Sequence, residues 1–252
     1  ITDKYILIQI VSSTTSETWL IDANQANSNP FVFLKRKQGH LYDIGHHENG
    51  FYVLSNSNAS NKRLLFSNDV PKEIESCSEV ISHDVNTLLE GVSVFKNFIL
   101  IEERSNGLRK LKVKNILTGK EQFVQFNEET YFLSIGLNDN YNADEVFYAY
   151  NSLTTPSTVF KYNMLSGEQS IWFRKELLDK NFKPEDYESK RIWATANDGT
   201  KIPISLVYKK GLNLSQAPCL LYGYGSYGYT LPDVFSATRL SLLNRGFVYA
   251  VA

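Results

Sequence analysis

The chain has 252 residues, with 26 basic and 27 acidic side chains and a formal net charge of -1. This balance excludes a general electrostatic attraction to nucleic acid or to an anionic membrane surface, so neither is expected as a partner. Apolar residues make up 42% of the chain, which predicts a packed core. No apolar run reaches the roughly 18 residues that span a bilayer. The two cysteines, Cys77 and Cys219, form no disulfide framework and indicate a reducing, cytoplasmic compartment.

A weak repeat runs from the N-terminus to about residue 175. Four strand-like segments share an aromatic residue followed by β-forming residues, and these aromatics, Tyr5, Phe51, Phe98 and Phe147, are 46, 47 and 49 residues apart. A second strand candidate follows each segment, at 18–21, 63–66, 108–116 and 158–162. A period of about 40–50 residues with several strands is typical of a β-propeller, whose four-stranded blades cover one another. About three and a half blades fit here, and a β-sandwich with coincidental spacing is the alternative.

The character of the sequence changes after residue 182. Residues 183–190 are polar and contain Pro184, which is typical of a linker. An antiparallel hairpin, a buried strand, a helix and an apolar strand are then predicted in that order, at 191–196 with 201–208, 219–222, 238–244 and 247–252. Asp198-Gly199 is expected to form the hairpin turn, and Pro203 places the returning strand at a sheet edge. This order favours the opening of an α/β-hydrolase sheet.

Residues 223–228 match two glycine motifs only in part. They fit G-x-G-x-x-G, but Pro232 prevents the helix that a dinucleotide site requires, and no acid follows at 246–252. A G-x-S-x-G nucleophile turn around Ser226 would have Tyr224 where glycine is needed. The four histidines, His40, His46, His47 and His83, show no zinc-ligand spacing and are expected in surface loops. We therefore expect neither a cofactor nor a metal.

Longer motifs carry a resemblance to a known family. They are Arg191-Ile192-Trp193-Ala194-Thr195-Ala196-x-Asp198-Gly199, Leu221-Tyr222-Gly223-Tyr224-Gly225-Ser226-Tyr227-Gly228, and Phe235-Ser236-x-x-Arg239-Leu240-Ser241-Leu242-Leu243-x-Arg245-Gly246. With Ser152-x-Thr154-Thr155-Pro156 upstream, they resemble the prolyl oligopeptidase family of serine peptidases. Ser226-Tyr227-Gly228 is most similar to the oligopeptidase B branch of that family.

The resemblance implies a seven-bladed propeller that caps an α/β-hydrolase domain, with a Ser-His-Asp triad between them and short, basic peptides as substrates, cleaved after Arg or Lys. It implies that Tyr224 donates its phenol hydroxyl to the oxyanion and that Tyr227 lines the primary specificity pocket. Acids that favour cationic substrates in the branch are replaced here by Pro232 and Val234, so the acid between them, Asp233, becomes the substrate-binding candidate.

These observations predict a mostly β chain in three parts. Residues 1–182 would be the C-terminal part of a propeller, 183–190 an interdomain linker, and 191–252 the start of a peptidase catalytic domain. The chain begins at Ile1 and ends in an apolar run, so we expect a fragment whose triad lies downstream and which is inactive alone. A post-proline oligopeptidase and a non-catalytic propeller interaction module are the alternatives, and the oligomeric state is left open.

Overall fold

The computed structural model describes residues 2–252 and divides the chain into two compact units. The first unit comprises Ile1–Val124 and Asn138–Asp144, and the second comprises Gln125–Leu137 and Glu145–Ala252. The two units are described separately below. Both are built mostly from β-strands, as the sequence predicts.

The first unit contains three antiparallel sheets. The first sheet has the order β1 (Tyr5–Val11), β2 (Ser16–Asp22), β3 (Phe31–Val32). The second has the order β4 (Tyr42–His47), β5 (Gly50–Ser55), β6 (Arg63–Ser67), β7 (Ser78–Ile81). The third contains, in chain order, β8 (Thr87–Val94), β9 (Phe98–Ser105), β10 (Leu108–Asn115) and β11 (Glu121–Phe123). Each strand pairs with the next one along the chain, so every sheet is an antiparallel meander.

Strand β5 shows how these sheets are packed. All six of its residues are buried. Phe51 and Val53 belong to one hydrophobic cluster, whereas Tyr52 and Leu54 belong to another. Successive side chains of a strand point to opposite faces, so this sheet buries apolar residues on both faces. A sheet covered on both sides is what stacked propeller blades require.

The second unit contains two four-stranded sheets. One is an antiparallel sheet with the order β12 (Phe132–Ile135), β13 (Glu145–Asn151), β14 (Thr158–Asn163), β15 (Gln169–Arg174). The other consists of β16 (Tyr187–Thr195), β17 (Lys201–Lys209), β18 (Cys219–Tyr222) and β19 (Val248–Val251), with helix α1 (Arg239–Asn244) between the last two strands. Its order is β16-β17-β19-β18, and only the β18–β19 pair is parallel.

The repeat that the sequence predicts corresponds to one strand in each of four antiparallel sheets. Its four aromatic residues, Tyr5, Phe51, Phe98 and Phe147, lie in β1, β5, β9 and β13. In the three four-stranded sheets of the repeat, this strand is the second one along the chain. The predicted partner strands are β2, β6, β10 and β14, and each pairs antiparallel with the aromatic strand before it.

The predicted hairpin is confirmed, but the position of its second strand was wrong. Gly199 has φ of +89° and its N–H donates to the Ala196 carbonyl at 2.9 Å, which closes the turn between β16 and β17. Pro203 does not mark an edge strand, because β17 lies between β16 and β19. Strand β19 pairs only with Ser205–Val207, so Pro203 lies where β17 has a single neighbour and the missing N–H breaks no ladder bond.

Strand β16 begins earlier than predicted. A short 3₁₀ turn, Pro184–Asp186, leads directly into β16, so residues 187–190 of the predicted linker are already paired with β17. Leu153, Tyr187 and Val207 form a buried cluster with Leu240 and Leu243 of α1. This cluster joins the turn after β13 to the mixed sheet and its helix within the second unit.

The expectation that the histidines lie in surface loops was wrong for three of them. His40, His46 and His47 are buried, and the last two belong to β4. The His47 ring donates to the Lys96 carbonyl at 3.0 Å, and the His46 ring is hydrogen-bonded to the Thr2 hydroxyl. An imidazole hydrogen-bonded to its own protein can be buried, and sequence spacing alone does not reveal such a partner.

None of the helices in residues 2–252 has both the length and the apolar character that a membrane-spanning helix requires.

Candidate active site

The candidate site is built on the loop that follows β18. This strand ends at Tyr222, whose carbonyl accepts the N–H of Ala252 at 3.0 Å, and the chain then runs through 223–238 to α1. Residues 221–230 are all exposed. In open α/β sheets, ligands bind beyond the carboxyl ends of the parallel strands, and this loop leaves β18 at that end.

Tyr224 lies two residues beyond β18 with 47% of its surface exposed. Its ring packs edge-on against Tyr229, with ring centroids 5.9 Å apart and planes 73° apart. Among the described residues, none forms a hydrogen bond with its hydroxyl. The phenol hydroxyl is therefore a donor that an incoming oxygen atom can reach.

Tyr227 adopts a backbone conformation that is unfavourable for its residue type. It lies in the turn Ser226–Gly228 with φ of 60° and ψ of 26°, in the left-handed region. This conformation costs a non-glycine residue about 1 kcal/mol, and the fully exposed ring (100%) recovers none of that cost by packing. Strained residues with exposed side chains are concentrated at functional sites, which is consistent with a binding role for Tyr227.

The two glycines beside Tyr227 differ in what they require. Gly228 has φ of +68° and needs the freedom of glycine, whereas Gly225 has φ of -150°, which any residue adopts. A Cβ atom at either position would meet nothing within 4 Å. Close packing within the described residues therefore explains neither glycine.

Asp233 lies at the buried end of the same loop. Only 8% of its surface is exposed. The Ser205 hydroxyl donates to its Oδ2 at 2.7 Å, and Nη1 of Arg191 lies 3.9 Å from the same oxygen. Burial raises the pKa of Asp233, while the bond from Ser205 and the charges of Arg191 and Arg239 oppose that shift. The carboxylate thus faces the protein interior, and its predicted part in substrate binding stays a prediction.

Sequence reasoning did not identify the residues that hold this end of the loop. Arg191 and Ser205 lie opposite each other in the β16–β17 register, so both reach Asp233 from one face of the sheet. Nη1 of Arg239 donates to the Val234 carbonyl at 2.9 Å, and the guanidinium carbon lies over the Tyr249 ring, 4.0 Å from its centroid. The available signal was that a buried acid requires a basic or hydroxyl partner, but that rule does not say which one.

Two serine–histidine pairs in the first unit do not have the geometry of a catalytic triad. His40 Nε2 and Ser55 Oγ are 2.8 Å apart, but both residues are buried. Ser60 Oγ lies 3.3 Å from Nε2 of His83, and the nearby Asp84 carboxylate accepts from Asn86 N–H and the Thr87 hydroxyl instead of orienting the imidazole. Among residues 2–252, no group of three or more His, Cys, Asp or Glu side chains could hold a metal ion.

Comparison with known proteins places the chain in a family. Residues 1–175 match the family model described as "Prolyl oligopeptidase, N-terminal beta-propeller domain". The chain is 32% identical to "Protease 2" of Moraxella lacunata over 99% of its length and 36% of that protein. It is also 32% identical to "Dipeptidyl aminopeptidase BI" of Pseudoxanthomonas mexicana, over 99% of this chain and 34% of that protein.

A solved structure agrees with these matches. Oligopeptidase B from Leishmania major superposes with a TM-score of 0.88 and 28% identity, over 99% of this chain and 36% of that one. The chain thus spans about a third of the length of the relatives it matches. From the family model and these similarities we conclude that the chain belongs to the prolyl oligopeptidase family of serine peptidases, with relatives in its oligopeptidase B branch.

Proposed function

We propose that the protein containing this chain is a serine oligopeptidase in which Tyr224 stabilises the oxyanion. The exposed phenol at the carboxyl end of β18, on a loop anchored through Asp233, is the observation that carries the proposal. Attack on a peptide carbonyl produces a tetrahedral intermediate whose oxygen becomes negative. A fixed donor that meets this oxygen in a water-excluded site lowers the barrier by roughly 3–4 kcal/mol.

We propose that the substrates are short peptides cleaved after Arg or Lys. The relatives named protease 2 and oligopeptidase B support this choice of branch. Tyr227 would form a wall of the primary specificity pocket, where its ring could stack on a guanidinium or an aliphatic stem. Its left-handed backbone supports a functional role, because strained residues cluster at functional sites. Asp233 is kept as a second substrate-binding candidate, and its bond with Ser205 also fixes the loop that carries Tyr227.

For the domain organisation, we propose that β1–β15 belong to a seven-bladed propeller and that β16–β19 with α1 open an α/β-hydrolase domain. The antiparallel meanders and the two buried faces of β5 support the first assignment. The parallel β18–α1–β19 unit behind an antiparallel hairpin supports the second. The proposed divisions are those predicted from the sequence, 1–182, 183–190 and 191–252, although β16 already begins at Tyr187 within the second of them. The propeller would restrict entry to short peptides.

The nucleophile and the general base are proposed to lie outside these 252 residues. The sequence contains no G-x-S-x-G turn. One oxyanion donor without nucleophile and base does not turn over peptide, so we propose that this chain alone is inactive. Cys77 and Cys219 are both free thiols, which supports the proposed cytoplasmic location.

Two assays test the function. The whole protein is expected to hydrolyse an Arg-Arg or Lys-Arg chromogenic peptide faster than a matched prolyl peptide, and to be labelled by a fluorophosphonate. The 252-residue chain, assayed in parallel, should neither hydrolyse the peptides nor be labelled. Faster cleavage of the prolyl peptide would indicate a post-proline oligopeptidase. Absence of labelling in the whole protein would indicate a non-catalytic propeller module.

A further inference from the structure

The loop 223–238 is held very differently at its two ends. From 223 to 230 it is exposed, and its internal backbone hydrogen bond runs from Tyr229 N–H to the Ser226 carbonyl at 3.1 Å. From Asp233 onward it is fixed by Ser205, by the bond from Arg239 to Val234, and by α1. The position of the exposed half, which carries Tyr224 and Tyr227, therefore depends on the anchored half.

One anchor comes from the other sheet of the second unit. The backbone N–H of Phe235 donates to Oδ1 of Asn151 at 2.7 Å, although the two residues are 84 positions apart. Asn151 is the last residue of β13 and pairs with Phe132 of β12. The anchors from Ser205 and Arg239 belong to the mixed sheet and its helix, whereas this bond ties the loop to the β12–β15 sheet.

The turn that presents Asn151 is itself well fixed. Ser152 Oγ accepts from the N–H groups of Thr154 and Thr155 at 3.1 and 2.8 Å, and the Ser152 N–H donates to the Thr155 carbonyl at 3.1 Å. The hydroxyls of Ser152, Thr154 and Thr155 all donate to the carboxylate of Glu128. Asn151 therefore presents its acceptor from a rigid support, since the chain that follows it has little freedom.

Apolar packing on both sides of this bond restricts its movement. Leu153, two residues after Asn151, is buried with Tyr187 and Leu243, and Phe235 packs against that cluster. The Phe235 ring also meets Phe182 edge-on, with centroids 5.1 Å apart. A half-buried N–H that loses its acceptor in such surroundings is destabilising, because the donor has given up water without gaining a partner.

We propose that Asn151 is a positioning residue that holds the anchored end of the loop 223–238, at Phe235, against the β12–β15 sheet, and thereby positions the exposed half that carries Tyr224 and Tyr227. The importance of this anchor for catalysis rests on the proposed function of Tyr224 and Tyr227. The anchoring itself can be measured without an activity assay. Removal of the acceptor should let residues 223–238 open locally more often while the rest of the second unit stays folded. Restoration of a side-chain oxygen at the same place should restore the anchor.

Chymotrypsin digestion of the 252-residue chain provides the measurement. The probe is the rate of cleavage after Phe235, in the anchored half of the loop, identified by mass spectrometry, relative to cleavage after Tyr148 or Tyr162. These last two are buried in β13 and β14 and report global unfolding. The rate of proteolysis follows the population of the opened state. Asn151→Leu is therefore expected to raise the rate of cleavage in the loop about tenfold relative to the rate of cleavage after Tyr148 or Tyr162.

Two variants serve as controls. Asn151→Asp keeps the acceptor and should stay within about twofold of the original rate. Asn163→Leu is the matched control, because Asn163 ends β14 of the same sheet and its Oδ1 accepts two backbone N–H groups, those of Leu165 and Ser166, at 2.9 Å. It should leave the relative loop rate unchanged. An unchanged rate of cleavage after Phe235 in Asn151→Leu, or an equal rise after Phe235, Tyr148 and Tyr162, would overturn the proposal.

A second measurement covers the case in which Asn151→Leu does not fold. Hydrogen exchange of the original chain should show the Phe235 amide strongly protected, whereas the amides at 224–228 exchange freely. Unprotected exchange at Phe235 would refute the anchor. If Tyr224→Phe leaves turnover of the whole protein unchanged, the proposed function fails but the protease result stands, so the two failures are distinguishable.

Discussion

The Ser205 hydroxyl donates to Oδ2 of Asp233 at 2.7 Å, and both side chains are buried. This bond joins the middle strand β17 to the loop beyond β18, with Arg191 of β16 adding a positive charge 3.9 Å from the same oxygen. Asp233, which the sequence predicts to be a substrate-binding residue, is thus also part of the support for the loop that carries the exposed tyrosines.

Replacement of Asp233 by Asn tests this buried carboxylate through the pH dependence of stability. Because burial raises its pKa in the folded state above the ordinary 3.8, the folded chain binds more protons than the unfolded chain just above pH 3.8. Stability from this group therefore falls as pH rises through that window. Relative to Asp233→Asn, the original chain should lose free energy of unfolding from pH 3.8 upward, measured by urea denaturation at a series of pH values.

Asp198→Asn is the control for that experiment. Asp198 accepts the Thr200 N–H at 2.9 Å, and this backbone bond lowers its pKa. The pH dependence of stability is therefore opposite to that expected for Asp233. Below pH 3.8 the unfolded chain binds more protons than the folded chain, so the stability contributed by Asp198 is lost as pH falls. If the free energy of unfolding changes with pH equally in the original chain and in Asp233→Asn, Asp233 is not a buried ionisable group.

Removal of the Tyr224 hydroxyl should slow the chemical step. In the whole protein, Tyr224→Phe is expected to lower kcat about 10²–10³-fold with little change in KM, because the donor acts only when the oxyanion forms. Tyr229→Phe is the matched control, since it removes the same group from the ring in contact with Tyr224. Steady-state kinetics on an arginyl substrate decide the matter, and an unchanged kcat would remove Tyr224 from the oxyanion role.

The left-handed backbone at Tyr227 predicts an unusual order of stabilities. Tyr227→Gly should be more stable than Tyr227→Ala by up to about 1 kcal/mol, because glycine adopts φ near 60° without a clash and both variants lose the same exposed ring. At Tyr229, whose φ is -79°, the alanine variant should be the more stable. The measurement is the denaturant midpoint of each of the four variants. A higher midpoint for Tyr227→Ala than for Tyr227→Gly would contradict the assigned conformation.

His46 should titrate far below an ordinary histidine. Burial is the main cause that lowers its pKa from 6.5 to about 4, and the charge of Lys4 adds to it. Between these values the unfolded chain binds more protons, so stability should fall as pH drops from 6.5 towards 4. His46→Phe, beside the rings of Tyr5 and Phe51, should reduce that loss. NMR titration of the imidazole is the direct check, and a midpoint near 6.5 would contradict it.

Features set by local sequence were predictable. The spacing of Tyr5, Phe51, Phe98 and Phe147 identified four equivalent strands, because side chains along a strand are buried with a fixed period and similar strands recur once per sheet. Asp198-Gly199 identified its own turn, because positive φ at that position requires glycine. The loop around Tyr224 was located by its motif, and its exposure follows from its place at the end of β18.

Contacts between distant segments were not predictable from one sequence. By itself, the sequence determined the recurring aromatic strands and their partner strands, the turn at Asp198-Gly199, and which loop carries the candidate tyrosines. Only the tertiary structure decided that Asp233 is turned inward to Ser205, that three histidines are buried, and that Asn151 holds Phe235. Composition and periodicity report which face of an element avoids water, but the partner of a buried polar group depends on which strands the fold brings together.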